Sequence, residues 1–487
     1  MRTNHIFTSL LSKILCWFGL LFSIGLPVHA QLCTGSLGDP VLNETFGKGS
    51  AASSLDAATT SYRYTPADCP DDGWYTLRST TNNCFNSWHT LTDHTGDGQG
   101  NFMLVNASFE PSDFYLDTVK GLCANTVYEF SAWLMNVGQR FTQIKPNITF
   151  SIEKTDGTIL SSISSGDIPF TTSPQWNNYG FFFQIPPATF DVVLRMRNNA
   201  PGGAGNDIAL DDITFRPCGP KILARIINNN PVVHLCAGDP AIFSFSSEIA
   251  AGFTNPSYQW QISTNSGTSW KDIAGATQLL YTRKPTLPGV YLYRLTTVNG
   301  ENGTTVSCRI ASSVLEINIH AYPIVDAGRD IVLLKGDRTT LEGKVIGDST
   351  MFAWSPQRFL ENERSLRPTI NPDKNITYIL TATSVWGCSD FDSMSVKVVN
   401  QIYIPNAFTP NGDGLNDRWA IPDIDPSKGA AVKVFNRYGT VVYEARSAVV
   451  DWDGTAWGKP QGSGTFVYLV DLNNGRPPLR GLITLIR

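Results

Sequence analysis

From Ile402 the chain reads IYIPNAFTPNGDGLNDRW, then VKVFNRYGTVVYE, then DWDG and GTFVYLVDL, and it closes on GLITLIR. That pattern fits a small all-β module and little else. Val432, Val434 and Phe435 on one side, and Val441, Val442 and Tyr443 on the other, flank Asn436-Arg437-Tyr438-Gly439. Apolar runs around such a turn-former read as a β-hairpin. Leu482 to Ile486 reads as a last strand, and a chain that ends inside a strand has its end tied into the sheet.

FTPNGDGLND, the FNRYG turn, WDG and the terminal strand resemble the gliding motility-associated C-terminal domain. That family is the type B sorting domain of the type IX secretion system in Bacteroidetes. The resemblance covers residues 401–487. It implies the type IX machinery as a partner and export across the outer membrane, to the cell surface or the medium. It says nothing of what the cargo does.

The other end agrees with export. Arg2 and Lys13 precede an apolar run from Ile14 to Leu26, and Val28-His29-Ala30 resembles a signal-peptidase site. Residues 1–30 therefore read as a secretory signal peptide. The run is shorter than the ~20 residues of a membrane span. No other long apolar segment occurs, so the mature chain is expected to have no transmembrane segment. Acidic residues number 42 against 37 basic. With no basic stripe, nucleic acid is excluded as a partner. Only 16% of residues are charged, below the ~25% of ordinary globular chains. Plentiful Gly, Pro, Ser, Thr and Asn between short β-patterned runs point to extracellular β-sandwiches.

Residues 31–220 form the first unit and end at Pro217-Cys218-Gly219-Pro220. Strand-like runs such as Phe102 to Val105, Thr126 to Phe130 and Val192 to Met196, without helical periodicity, read as an N-terminal jelly roll. Asp93-His94-Thr95, Gly100, Leu104-Val105-Asn106, Trp133, Trp176, the Ile208 to Ile213 segment and Cys218 resemble the pattern of MAM domains. The start departs from it: the family's early Phe-Glu is here Phe46-Gly47. Residues 221–320 read as an Ig-like sandwich with Cys236, Trp260 and Cys308. Residues 321–400 resemble a PKD domain through Asp326-Ala327-Gly328, Trp354-Ser355-Pro356 and Tyr378 to Thr383. The two middle units read as spacers, and their aromatics as core.

Once the leader's Cys16 is removed, eight cysteines face an oxidising compartment, where disulfides are the default. The MAM resemblance implies Cys123–Cys218. Cys69–Cys84 is then the shortest remaining loop, with Cys33–Cys84 as an alternative. Within the second unit Cys236–Cys308 is the intradomain choice, and Cys33 and Cys388 are left over.

Calcium is the expected ion, because extracellular β-modules pin loops with hard cations held by oxygens. In the tail, Asn411, Asp413 and Asp417 offer ligands, and a turn in which they cap their own backbone is the alternative. In the first unit the expected ligands are Asp93, Asp211 and Asp212. Adjacent strand residues point to opposite faces, so only one of Asp211 and Asp212 is expected to face inward. A glycan surface could draw on Trp74, Tyr75, Trp88, His89, Tyr115 and Trp176, which packing also claims. G-x-S-x-G and H-E-x-x-H are absent and no carboxylate pair is marked by a motif, so a non-enzyme is expected. The reading is a secreted, modular binding or adhesion protein whose first unit recognises a glycan or a surface protein. A polysaccharide-acting enzyme and a structural surface component are the alternatives.

Overall fold

A computed structural model describes residues 32–487 apart from 50–52, 97, 140–143, 304, 349–350, 426–427 and 448. The signal peptide expected over residues 1–30 lies outside the described residues. The described chain is all-β, with three short 3-10 turns and no α-helix. Its sheets fall into four groups along the chain, each with its own apolar cluster.

The first group is a two-sheet sandwich. One sheet runs Asn177–Gln184, Val127–Asn136, Ile208–Gly219, Phe102–Asn106, Trp74–Arg78, Arg63–Tyr64 in spatial order. The facing sheet runs Ser112–Val119, Val192–Asn198, Asn147–Glu153, Ile159–Asp167. Alternation explains the core: Tyr128, Phe130, Ala132 and Leu134 point inward from one strand, and Ile148, Phe150 and Ile152 from another. Each such ring or branched chain contributes roughly 1.5–3 kcal/mol when fully buried. The strand Phe102–Asn106 is buried at every position, because its outer face is covered too. A segment carrying Cys84, Trp88 and Leu91 lies over Phe102, Leu104, Met135 and Ala209 as a second, smaller core. Cys69–Cys84, with Cα atoms 5.5 Å apart, staples that cover.

The second group holds Trp260, fully buried against Phe245 and Tyr281, with its indole N–H donated to the Gln278 carbonyl at 2.9 Å. The third is built round Trp354 and Tyr378. In the fourth, Leu479–Leu485 lies between Ala407–Phe408 and Gly464–Asp471, so the chain's end is paired on both sides. The hairpin Ala430–Phe435 to Val441–Ser447 turns at Gly439, whose φ of 78° suits a residue without Cβ. Asn436 closes the turn by accepting the backbone N–H groups of Tyr438 and Thr440.

Three disulfides differ from the expected pairs. Cys218 bonds to Cys33 rather than Cys123. Leu37 lies opposite Cys218 in the sheet, which brings the start of the chain to that strand's end. Cys123 instead bonds to Cys308 in the second group, and Cys236 to Cys388 in the third, with Cα separations of 5.8 and 5.5 Å. The expected Cys236–Cys308 bridge is absent because Cys308 sits on a 3-10 turn docked against Cys123, not against the strand Val232–Cys236. Cys33 and Cys388, without partners on the sequence reading, are both used.

Candidate functional site

The first unit carries a cluster at the outer face of its larger sheet. The cover segment ends in Asp93-His94-Thr95, and His94 stacks on Trp133 with centroids 4.4 Å apart and planes 17° from parallel. Trp133 lies opposite Asp211 in the sheet. The register then shifts between Asp211 and Thr214, and Asp212 has a positive φ of 42°. That irregularity overturns the expected alternation. A bulge re-aims a side chain, and here both carboxylates turn toward His94. His94 Nδ1 is 2.5 Å from Asp212 Oδ2 and 3.9 Å from Asp211 Oδ2. The Asp211 carboxylate also accepts the His94 backbone N–H at 3.0 Å. His94 Nδ1 is enclosed and has no aligned hydrogen-bond partner, and it lies where the two carboxylates converge. Burial pushes the Asp211 carboxyl up to about 7, with the charges of Asp212 and Asp93 adding to the effect.

Among the described residues, this is the one group of three or more His, Cys, Asp or Glu side chains spaced to share an ion. Asp93 does not join it. Its carboxylate accepts the Thr95 hydroxyl and the Gly98 N–H and shapes the turn. The third corner is His94. Its place beside Asp93 was the available signal, but only the fold shows which of the two faces Asp211 and Asp212. The donor set is one imidazole and two carboxylates. Calcium prefers six to eight oxygens, whereas nitrogen with carboxylate suits a borderline divalent ion such as zinc.

The tail acids are occupied otherwise. Asp417 accepts the N–H groups of Gly412 and Gly414 at 2.6 and 2.7 Å, which holds its carboxyl below the usual range. Asp413 accepts the Leu415 N–H and the Asn411 side-chain amide, and Asn411 accepts the Asp413 N–H. These contacts make the backbone-capping turn.

Of the rings named for a glycan surface, Tyr75, Trp88, His89 and Tyr115 are buried, and only Trp74 and Trp176 are part-exposed. Among the described residues, the exposed rings of this unit are Phe85, Phe109, Phe182 and Phe190, which the sequence did not single out. The outer face of the smaller sheet is polar. Arg195 bonds Glu153 at 2.9 Å and Asp113 at 2.5 Å, and Arg197 reaches Asp113 at 3.1 Å. Arg195 holds the Glu153 carboxyl below its usual range.

Residues 402–485 match the family model of the CHU_C type IX secretion signal domain. The chain carries a type IX export signal. It is therefore addressed to the cell surface or the medium, and no described helix is long and apolar enough to cross a membrane. Residues 227–320 match a domain of unknown function, DUF8696. No curated protein matches the chain. Solved structures that resemble it include one titled "CBM4 structure and function", 15% identical, covering 29% of this chain and 86% of that one at a TM-score of 0.19. The CBM22-1 xylan-binding domain from Paenibacillus barcinonensis Xyn10C is 12% identical and covers 38% and 97% at 0.21. The human desmocollin-1 ectodomain is 10% identical and covers 85% and 92% at 0.21. At such TM-scores the likeness extends to neither ligand nor activity.

Proposed function

We propose that this secreted modular protein is a non-enzymatic binding protein that displays its first unit for adhesion to a glycan or a surface protein. The observation that supports this most is the covalent bracing of the three units before the sorting domain. Cys123–Cys308 ties the first to the second and Cys236–Cys388 the second to the third. Around the first bridge, Arg294 grips Asp39 with both guanidinium Nη atoms, at 2.7 and 2.5 Å, and Ile222 N–H donates to Ser36 Oγ at 2.8 Å. Inter-domain contacts within one chain are ordinarily polar and mobile. Covalent junctions suit a stalk that carries a pulling load to a displayed head.

On this reading a divalent cation at His94, Asp211 and Asp212 acts structurally. It would offset the repulsion of two adjacent carboxylates and fix the cover segment over Trp133.

The test is binding of the full chain to a broad glycan array and to intact cells. Saturable binding that is blocked by an excess of unlabelled full chain is expected. No binding to any glycan or cell surface, or turnover of a polysaccharide substrate, would overturn the proposal.

A further inference from the structure

The junction between the second and third units contains a group of side chains that no other role absorbs. Val232–Cys236 and Leu315–His320 are parallel neighbours, with Cys236 opposite His320. His234 Nδ1 and His320 Nε2 are 3.0 Å apart, the ring planes differ by 20°, and the centroids are 5.2 Å apart. The centroid spacing exceeds the nitrogen spacing by about two ring radii, so the facing nitrogens lie near the line between ring centres. Each therefore points at the other. That is the geometry of an N–H···N hydrogen bond. A chelate would need both lone pairs to converge on a third point.

Trp386, from the third unit, covers both rings. It stacks on His234 at 3.9 Å and 13°, and on His320 at 4.6 Å and 10°. Two residues further on is Cys388, bonded to Cys236. Trp386 is 47% exposed, so protons reach the group freely. Burial, and then the neighbouring His234, hold His320 below the ordinary imidazole value, while Asp348 of the third unit pulls the other way.

We propose that His234, His320 and Trp386 form an acid-sensitive latch between the second and third units. A neutral pair keeps one N–H donor facing one lone pair, and a singly protonated pair keeps the same bond. A second proton sets N–H against N–H and two like charges side by side, and the bond is lost. The sign follows from the lowered His320 value: the latch is complete above the unperturbed pKa of 6.5 and weakens as pH falls below it. Cys236–Cys388 still holds, so acid loosens the junction without parting the units. This inference is independent of any ligand of the first unit.

The experiment uses the full chain with nitrogen-15-labelled histidine, titrated by NMR, and hydrogen exchange of the segment around Trp386. Coupled titration of two of the imidazoles is expected. So is exchange around Trp386 about tenfold faster near pH 5 than near pH 7.5, after correction for the chemical rate. His234→Gln and His320→Gln should each remove the acid-dependent part, and Trp386→Leu should shift both titrations. EDTA should change nothing around Trp386. Independent titration of all imidazoles, exchange equal at both pH values, or a response of the Trp386 segment to EDTA would each overturn the proposal.

Discussion

Cys123 of the first unit and Cys308 of the second are disulfide-bonded across 185 residues of sequence, with their Cα atoms 5.8 Å apart. Around them Val298 completes a small buried cluster, and Asn302 donates to the Ala124 carbonyl at 3.2 Å. The junction is a packed interface with a covalent bond at its centre.

Replacing both cysteines, Cys123→Ser with Cys308→Ser, should leave each sandwich folded but uncouple them. The long closed loop gives an expected loss of roughly 2–4 kcal/mol. Calorimetry checks this: the variant should show separate transitions for the first and second units where the parent shows a shared one. Identical traces would mean that the bridge carries no coupling.

The cluster at His94 gives a metal-dependent stability. EDTA should lower the melting temperature of the first unit and zinc should restore it, with calcium less effective. A cation at about 100 times its Kd stabilises the folded state by ~2.7 kcal/mol. His94→Ala and Asp212→Ala should each abolish the response, whereas Asp93→Ala should lower stability and keep it. A chelator-insensitive melt would leave the cluster as a plain ion pair.

Asp207 supplies a pH test. It is buried, accepts the Ala107 N–H at 3.1 Å, and burial pushes its carboxyl up to about 7, with Asp72 adding. A raised carboxyl means that the folded state binds its proton more tightly than the unfolded chain. Its contribution is therefore favourable at low pH and is lost as pH rises from about 4 to about 7. Asp207→Asn should flatten the fall in melting temperature between pH 5 and pH 8. An unchanged slope would contradict this.

The tail is held differently from the other units. Arg476 bonds Asp337 of the third unit, Asn474 reaches the same carboxylate at 3.3 Å, and no disulfide spans this junction. Half-exposed ion pairs contribute ~0–1 kcal/mol. Asp337→Ala should leave every unfolding transition in place yet speed proteolysis between residues 399 and 406, and high salt should do the same to the parent. Equal cleavage rates would show that the clasp does not restrain the tail.

The all-β class, the tail hairpin and the buried Trp260 and Trp354 were legible because period-2 patterning and turn chemistry are local. The junctions were not, since they depend on how separate sandwiches dock. One signal was in plain view. The first unit holds five mature cysteines and the third holds one, so if every cysteine is paired at least one bridge must run between units. The sequence reading left Cys33 and Cys388 over in different units, but pairing Cys123 with Cys218 and Cys236 with Cys308 inside their units left no bridge to join them. The site was half legible: Asp211 and Asp212 were singled out, but the bulge that turns both toward His94 depends on the register of a strand with its neighbours.

The most direct test of the braced stalk is peptide mapping of the exported protein by mass spectrometry under non-reducing conditions. The account predicts linked peptides joining Cys33 to Cys218, Cys69 to Cys84, Cys123 to Cys308 and Cys236 to Cys388. Peptides joining Cys123 to Cys218 and Cys236 to Cys308 would contradict it and return each sandwich to an independent bead on a flexible chain.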